Sequence, residues 1–167
     1  MAKKSNSNTK DGISIVVSNR RARHDYAVEE EIEAGLELVG SEVKSLRASH
    51  ASLSDSYAVP EGGQMFLYNM SISSYAFSPG VLGHTEKRKR RLLLNRREID
   101  RLTQRISERG YALIPLDIHF RNNWAKVQLG LAKGKTDVDR RQDIKARETK
   151  LEVARAMSDE VKRHRKF

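Results

Sequence analysis

Cysteine is absent from the 167 residues. That excludes disulfides, thiolate metal sites and cysteine nucleophiles. Long apolar runs are absent too, and no stretch approaches the roughly 20 residues needed to span a bilayer. The N-terminus, MAKKSNSNTKDG, lacks the apolar centre of a secretory signal. Catalytic frames are missing: there is no H-E-x-x-H, no G-x-S-x-G and no G-x-x-x-x-G-K-[ST]. GLAKGK has glycines and lysines without the phosphate-loop frame. The five histidines, His24, His50, His84, His119 and His164, are not paired at metal-ligand spacing. The acidic run EEEIE could be imagined around a cation, but it reads better as the solvated face of a strand. The expectation is a cytosolic protein that is not an enzyme and needs no metal or cofactor.

What is present is positive charge. Lys and Arg number 32 against 22 Asp and Glu, for a formal net charge of +10 and a pI of about 10.0. Such an excess attracts polyanions: nucleic acid, an anionic membrane face or an acidic protein. A membrane-surface role needs a basic helix with bulky apolar residues on its other side. The C-terminal tail lacks them apart from Phe167.

The chain divides into three parts. Residues 1–12 are polar and patternless, and are expected to be disordered. Residues 13–132 carry nearly all the apolar content. Residues 133–167 form a tail with 12 Lys and Arg against 7 Asp and Glu, a net of +5. Ile144 and Leu151 stand seven apart there, as do Ala154 and Val161. So thin a stripe predicts a tail that is disordered when free and helical when bound.

Within the middle part β signals dominate. EIEAGLELVG alternates, with Ile32, Ala34, Leu36 and Leu38 on one side. MFLYNMSIS reads as strand after an EGG turn. YALIPLDIHF and WAKVQLGLA flank RNN as a hairpin, with Ala125, Val127, Leu129 and Leu131 inward and Lys126 and Gln128 outward. Two helices are expected. GSEVKSLRASHAS is the shorter. NRREIDRLTQRISERG has Asn95 and Glu98 as a capping box, an Ile99/Leu102/Ile106 stripe and Gly110 as its stop. Its other face is Arg96, Arg97, Arg101, Arg105 and Arg109. Many short strands with few helices fit a mainly β (α+β) fold. A small OB-like antiparallel barrel is favoured over an open sheet because closure removes sheet edges.

Two basic stretches stand out. EKRKRRLLLNRREIDR holds 8 Lys and Arg against 3 Asp and Glu, with three leucines to anchor it. A cluster held in register can track a phosphate backbone. SNRRARHDY brings together Arg20, Arg21, Arg23, His24 and Tyr26. Arginine forks fit phosphate, and His and Tyr can stack on splayed bases. For His24 a structural bond to Asp25 is an equal alternative, and Tyr57 alone reads as a half-buried strand residue.

Six motifs then stand in order and spacing: NRRARHDY, EAGLELVGSEVKSLR, SLSDSYA, RLLLNRREI, GYALIPLDIHFRNNWAKVQLGLAKGKTDVDRR and DIKARE. Over Asn19 to Glu148 the chain resembles the SmpB family, the bacterial SsrA-binding or tmRNA-binding proteins. The resemblance implies an OB-like barrel with flanking helices and a basic C-terminal tail. It implies a role in trans-translation, the rescue of ribosomes stalled on mRNA lacking a usable stop codon. The partners implied are tmRNA, through its tRNA-like domain, and the stalled ribosome, whose empty mRNA channel and decoding region the tail enters. No membrane and no small-molecule substrate is implied. Matching the family's RNA-binding positions are Asn19, Arg20, Arg21, Arg23, His24, Tyr26, Glu33, Leu93 and Asn95. Matching its tail are Gly134, Lys135, Asp139, Arg140 and Arg141, and Arg147 is expected near ribosomal phosphates. Thr136 stands where many members carry a second lysine, and Val138 where some carry histidine. Base stacking by a side chain at position 138 is therefore not expected.

Overall fold

The structure is a computed structural model that describes residues 12–74, 84–108 and 110–164. The expected disordered N-terminus lies outside these residues except for Gly12, and Arg109 lies outside them too. By its contacts the chain forms two units, Met1–Gly134 and Lys135–Phe167.

The first unit begins with strand β1 (Ile13–Ser18), the short helix α1 (Arg20–Asp25) and the long strand β2 (Tyr26–Leu36). Helix α2 (Gly40–Arg47) follows, then β3 (Ala51–Ser52), β4 (Tyr57–Glu61), β5 (Gln64–Tyr68), β6 (Ser71–Ile72) and β7 (Arg90–Leu93). Helix α3 (Arg96–Ser107) precedes the hairpin of β8 (Tyr111–Arg121) and β9 (Trp124–Gly134). The main sheet runs β1-β8-β4-β5-β7-β2-β9, and β9 pairs back onto β8. The antiparallel ladders thus close on themselves, with β1 alongside one end of β8. This is the barrel-type closure that the alternation pattern favours, and it hides the edges an open sheet would expose.

The hairpin forms for a local reason. Asn122 and Asn123 take φ of +49° and +67°, the left-handed pair that a two-residue turn with matching twist requires. Beyond it β9 alternates, burying Val127, Leu129 and Leu131 at 0–1% exposure. Along β2, Ile32, Ala34 and Leu36 join the same core, with Leu46 of α2, Leu102 of α3, Met65, Leu67 and Leu92.

Pro115 adds a feature the simple alternation did not include. The β8–β9 register shifts between Pro115 and Asp117. Proline has no N–H for the ladder, and a bulge lets one extra residue re-aim the strand. As a result Leu113 and Ile118 enter the main core, while Ile114 and Leu116 face a second cluster with Ala22 and Ala132. That cluster seats α1 against the barrel.

Helix α3 starts as expected: the Asn95 N–H donates to Glu98 Oε2 at 2.9 Å. It stops earlier than expected. Glu108 is already extended, and Gly110, at φ +90°, lies two residues past that cap rather than one.

The second unit carries α4 (Asp137–His164). The tail, expected to be disordered when free, is helical here. Its Ala, Leu, Glu, Lys, Arg and Met content favours helix locally even without a core, and Ile144, Leu151, Val153 and Met157 are exposed along it.

Candidate nucleic-acid interface

Three elements converge on a cleft of about 540 Å³. The pairing Gly35↔Leu93 brings β2 beside β7, and Gly35↔Lys126 brings β9 to its other edge. Glu33, Leu93 and Asn95, each expected from the resemblance to bind RNA, all line this cleft with Gln64, Arg91, Glu98 and Lys126. Gly35 makes the approach possible, since a Cβ there would sit 3.0 Å from the Leu93 Cβ. Leu93 is 49% exposed. It lies over Gly35 at the rim and is a surface residue rather than a core one. Gly35→Ala should tilt Leu93 and weaken RNA binding with little loss of stability, which paired binding and thermal-melt measurements would check.

Glu33 does not stand alone as a repulsive charge. Its Oε1 accepts from Arg121 at 3.2 Å and lies 4.0 Å from Lys126 Nζ, and its Oε2 lies 3.0 Å from His119 Nε2. The other ring nitrogen of His119 is 2.9 Å from Asp117 Oδ1. Arg91, Arg121, Lys126, His119 and Asp117 were not singled out from the sequence. Asp117, His119 and Arg121 alternate on one face of β8, and that spacing was the available signal.

The N-terminal group sits elsewhere. Tyr26 precedes Glu33 by seven residues of the same strand, about 23 Å at strand rise. Asn19 caps α1. Its Oδ1 accepts from the Ala22 N–H at 3.1 Å, and its Nδ2 donates to the carbonyls of Pro115 at 3.1 Å and Leu53 at 3.3 Å. Asn19 therefore ties α1 to the barrel. Arg20 is exposed on the helix. Arg21 donates to Asp25, Arg23 to Glu31, and His24 Nδ1 lies 2.9 Å from Asp25 Oδ1. The His24 bond holds the Asp25 carboxyl below its usual value, with help from Arg21 against partial burial. Tyr26 packs on the second cluster. With Tyr57, Ser54 and Asp55, Arg21 and Tyr26 border a second cavity of about 350 Å³. Tyr57 stacks on Tyr68, with centroids 5.7 Å apart and planes at 10°.

The long basic run is largely neutralised inside the molecule. Arg88 and Arg90 bind Glu42, Lys89 pairs with Glu61, and Arg91 with Glu37. Arg96 pairs with Asp100, Arg101 with Glu30, and Arg105 with Glu29 and Glu108. A phosphate met along this run therefore competes with carboxylates of the same molecule. The EEEIE carboxylates are dispersed by the same pairs. Glu29 goes to Arg105 and Tyr111, Glu30 to Arg101, Glu31 to Arg23, and Glu33 to His119 and Arg121.

Gly134 ends β9 and the first unit, and in the second unit Lys135 and Thr136 precede α4. Thr136 acts as the cap. Asp139 Oδ2 accepts from the Thr136 N–H at 3.0 Å and from its hydroxyl at 2.7 Å, and the Asp139 N–H returns to Thr136 Oγ1 at 3.3 Å. These bonds hold the Asp139 carboxyl below its usual value. The threonine that departs from the family's lysine thus supplies a helix start, and Asp139 serves the same cap. Thr136→Ala should cost about 1 kcal/mol locally, seen as several-fold faster amide exchange in the first turn of α4. Arg141 is exposed. Arg140 and Arg147 lie within α4, and their side chains fall outside the described residues.

A closed antiparallel barrel whose cleft carries arginine, lysine, asparagine and a cation-held carboxylate has the donors of a polyanion-binding module. The chain belongs to the SmpB family: the family model described as SmpB protein matches residues 16–159. It is 56% identical over 146 residues to the SsrA-binding protein of Myxococcus xanthus (strain DK1622), covering 87% of this chain and 90% of that one. It is 49% identical over 152 residues to the SsrA-binding protein of Pelotomaculum thermopropionicum, covering 91% and 99%. A solved structure described as "tmRNA-SmpB: a journey to the center of the bacterial ribosome" contains a similar chain. That chain is 40% identical, with a TM-score of 0.62 over 77% of this chain and 93% of its own length.

Proposed function

We propose that this protein is a non-enzymatic adaptor of trans-translation in the cytoplasm. Its barrel binds the tRNA-like domain of tmRNA, and the complex enters ribosomes stalled on mRNA lacking a usable stop codon. The reading is carried by one observation: Glu33, Leu93 and Asn95, from three separate elements, share a cleft with Lys126 and Arg91. The family relatives named SsrA-binding protein support the identity of the RNA.

The chemistry of the cleft fits a structured RNA. Lys126 and Arg91 offer phosphate donors, while Gln64, Asn95 and the Glu33 carboxylate can read ribose or base edges. The exposed arginines of α1 form a second, separate phosphate surface. The tail helix, with Arg140, Arg141 and Arg147, is suited to the rRNA-lined mRNA channel when no message fills it.

The two barrel surfaces can be tested together by salt titration of tmRNA binding. Lys126→Ala should weaken binding and lower the slope of log affinity against log salt by about 0.7–0.9, the counterions of one phosphate contact. Arg20→Ala with Arg21→Ala should lower it by up to twice that. Glu33→Gln should lose affinity with the fold intact. Full affinity and an unchanged slope in all three variants would remove the barrel as the RNA site.

A further inference from the structure

We propose that His119 is a positioning residue for the cleft, resting on the reading of that cleft as the RNA site. It holds the Glu33 carboxylate, and through it sets how available Arg121 and Lys126 are to phosphate. His119 is only 4% exposed, yet both ring nitrogens face carboxylates, Asp117 at 2.9 Å and Glu33 at 3.0 Å. A neutral imidazole has one N–H, so only the charged ring donates to both. In that state Glu33 Oε2 is satisfied by the ring, and Oε1 is shared between Arg121 and Lys126.

The charged groups around the ring are Asp117 and Arg121 on β8 itself, Glu33 from β2 and Lys126 from β9; β1 sets the apolar Ile15 opposite it. When the proton leaves, one carboxylate must face a ring lone pair. Asp117 is the less exposed of the two, 15% against 24% for the side chains. Stranding it costs more desolvation, so the remaining N–H stays with Asp117. Glu33 then draws Arg121 and Lys126 to itself, and the local charge falls by one. Affinity for RNA therefore falls as pH rises.

The experiment measures binding of an in vitro transcribed tRNA-like domain by the full-length protein from pH 5.5 to 8.5 at constant salt. Trp124 is the sole tryptophan, is 74% exposed and borders a groove with Leu93 and Lys126, so its fluorescence reports binding at this site. Wild type should lose about five-fold in affinity across the range, the scale of one charge near phosphate. His119→Gln should flatten that dependence, and thermal melts establish that the variant is folded. Asp117→Asn removes the acceptor that competes for the ring's last proton and leaves the β8 backbone unchanged. It should let His119 serve Glu33 alone and so flatten the curve at the high-affinity level. A pH-independent wild type, or an unaltered slope in both variants, overturns the role of His119. Should Glu33→Gln and Lys126→Ala leave binding untouched at every pH, the cleft reading itself fails, which is a separate outcome.

Discussion

Truncation after Gly134 should abolish peptide tagging on stalled ribosomes while leaving tmRNA binding and the melting of the barrel unchanged. The cut must follow Gly134 rather than the 132/133 boundary read from the sequence, because the β2–β9 ladder runs on through Ala27↔Lys133 and Tyr26↔Gly134. Among the described residues, every buried apolar side chain, from Ala22 and Ile32 to Leu131 and Ala132, lies in the first unit. The second unit has 28 residues of helix whose described apolar side chains are exposed. A helix whose described apolar side chains are exposed has only marginal stability of its own in water. Its contribution must come from what it binds. Ala146→Pro is the sharper variant. Proline inside a helix costs about 3 kcal/mol, so it should impair tagging and leave every charge in place. Tagging by the truncated protein at wild-type level would show the tail to be dispensable and end the channel reading.

What could be read in the sequence was whatever local pattern encodes. The RNN turn demands positive φ, and Asn122 and Asn123 adopt it. The period-2 alternation of β2 and β9 names the core residues. Asn95 and Glu98 announce the start of α3. The Asn19 cap before RRARHD could have announced α1 by the same rule. What could not be read was pairing at long range. The run EKRKRR looks like a nucleic-acid track because sequence does not show that Glu42, more than forty residues earlier, receives Arg88 and Arg90. Glu33 looks like an exposed strand carboxylate until β8 brings His119 and Arg121 to it. The family motifs named Glu33, Leu93 and Asn95 separately, and barrel closure is what brings them to one cleft. Lys126, read from the alternation as merely outward, completes it.

The second large effect concerns that hidden pair. Arg90 and Glu42 are both fully buried. All five N–H groups of Arg90 are used. Nε and Nη2 reach Glu42 Oε1 at 2.9 and 2.8 Å, Nη1 donates to the carbonyls of Met70 at 2.5 Å and Arg88 at 3.1 Å, and Nη2 also donates to that of Glu86 at 2.9 Å. Glu42 also accepts from the Val39 N–H at 3.0 Å and from Arg88 at 2.6 Å. One ion pair thus ties α2 to β7, to the segment just before β7 and to the link between β5 and β6. Burial pushes the Glu42 carboxyl up, but Arg88, Val39 and Arg90 together outweigh it and leave the group below its ordinary value. A carboxyl lowered in the folded state stabilises the fold above its unfolded value and loses that contribution as pH falls through the folded one. Acid should therefore unfold the barrel through this pair, with full stability kept at neutral pH. Glu42→Ala strands the Arg90 charge in the core and should cost about 3–5 kcal/mol, a drop of roughly 10 °C or more in melting temperature for a chain of this size. Replacing both partners, Glu42→Leu with Arg90→Met, removes the stranded charge and should recover most of the loss. Urea unfolding of wild type and the two variants at neutral pH decides it. If the single variant melts with wild type, the pair is not what holds α2 to the barrel.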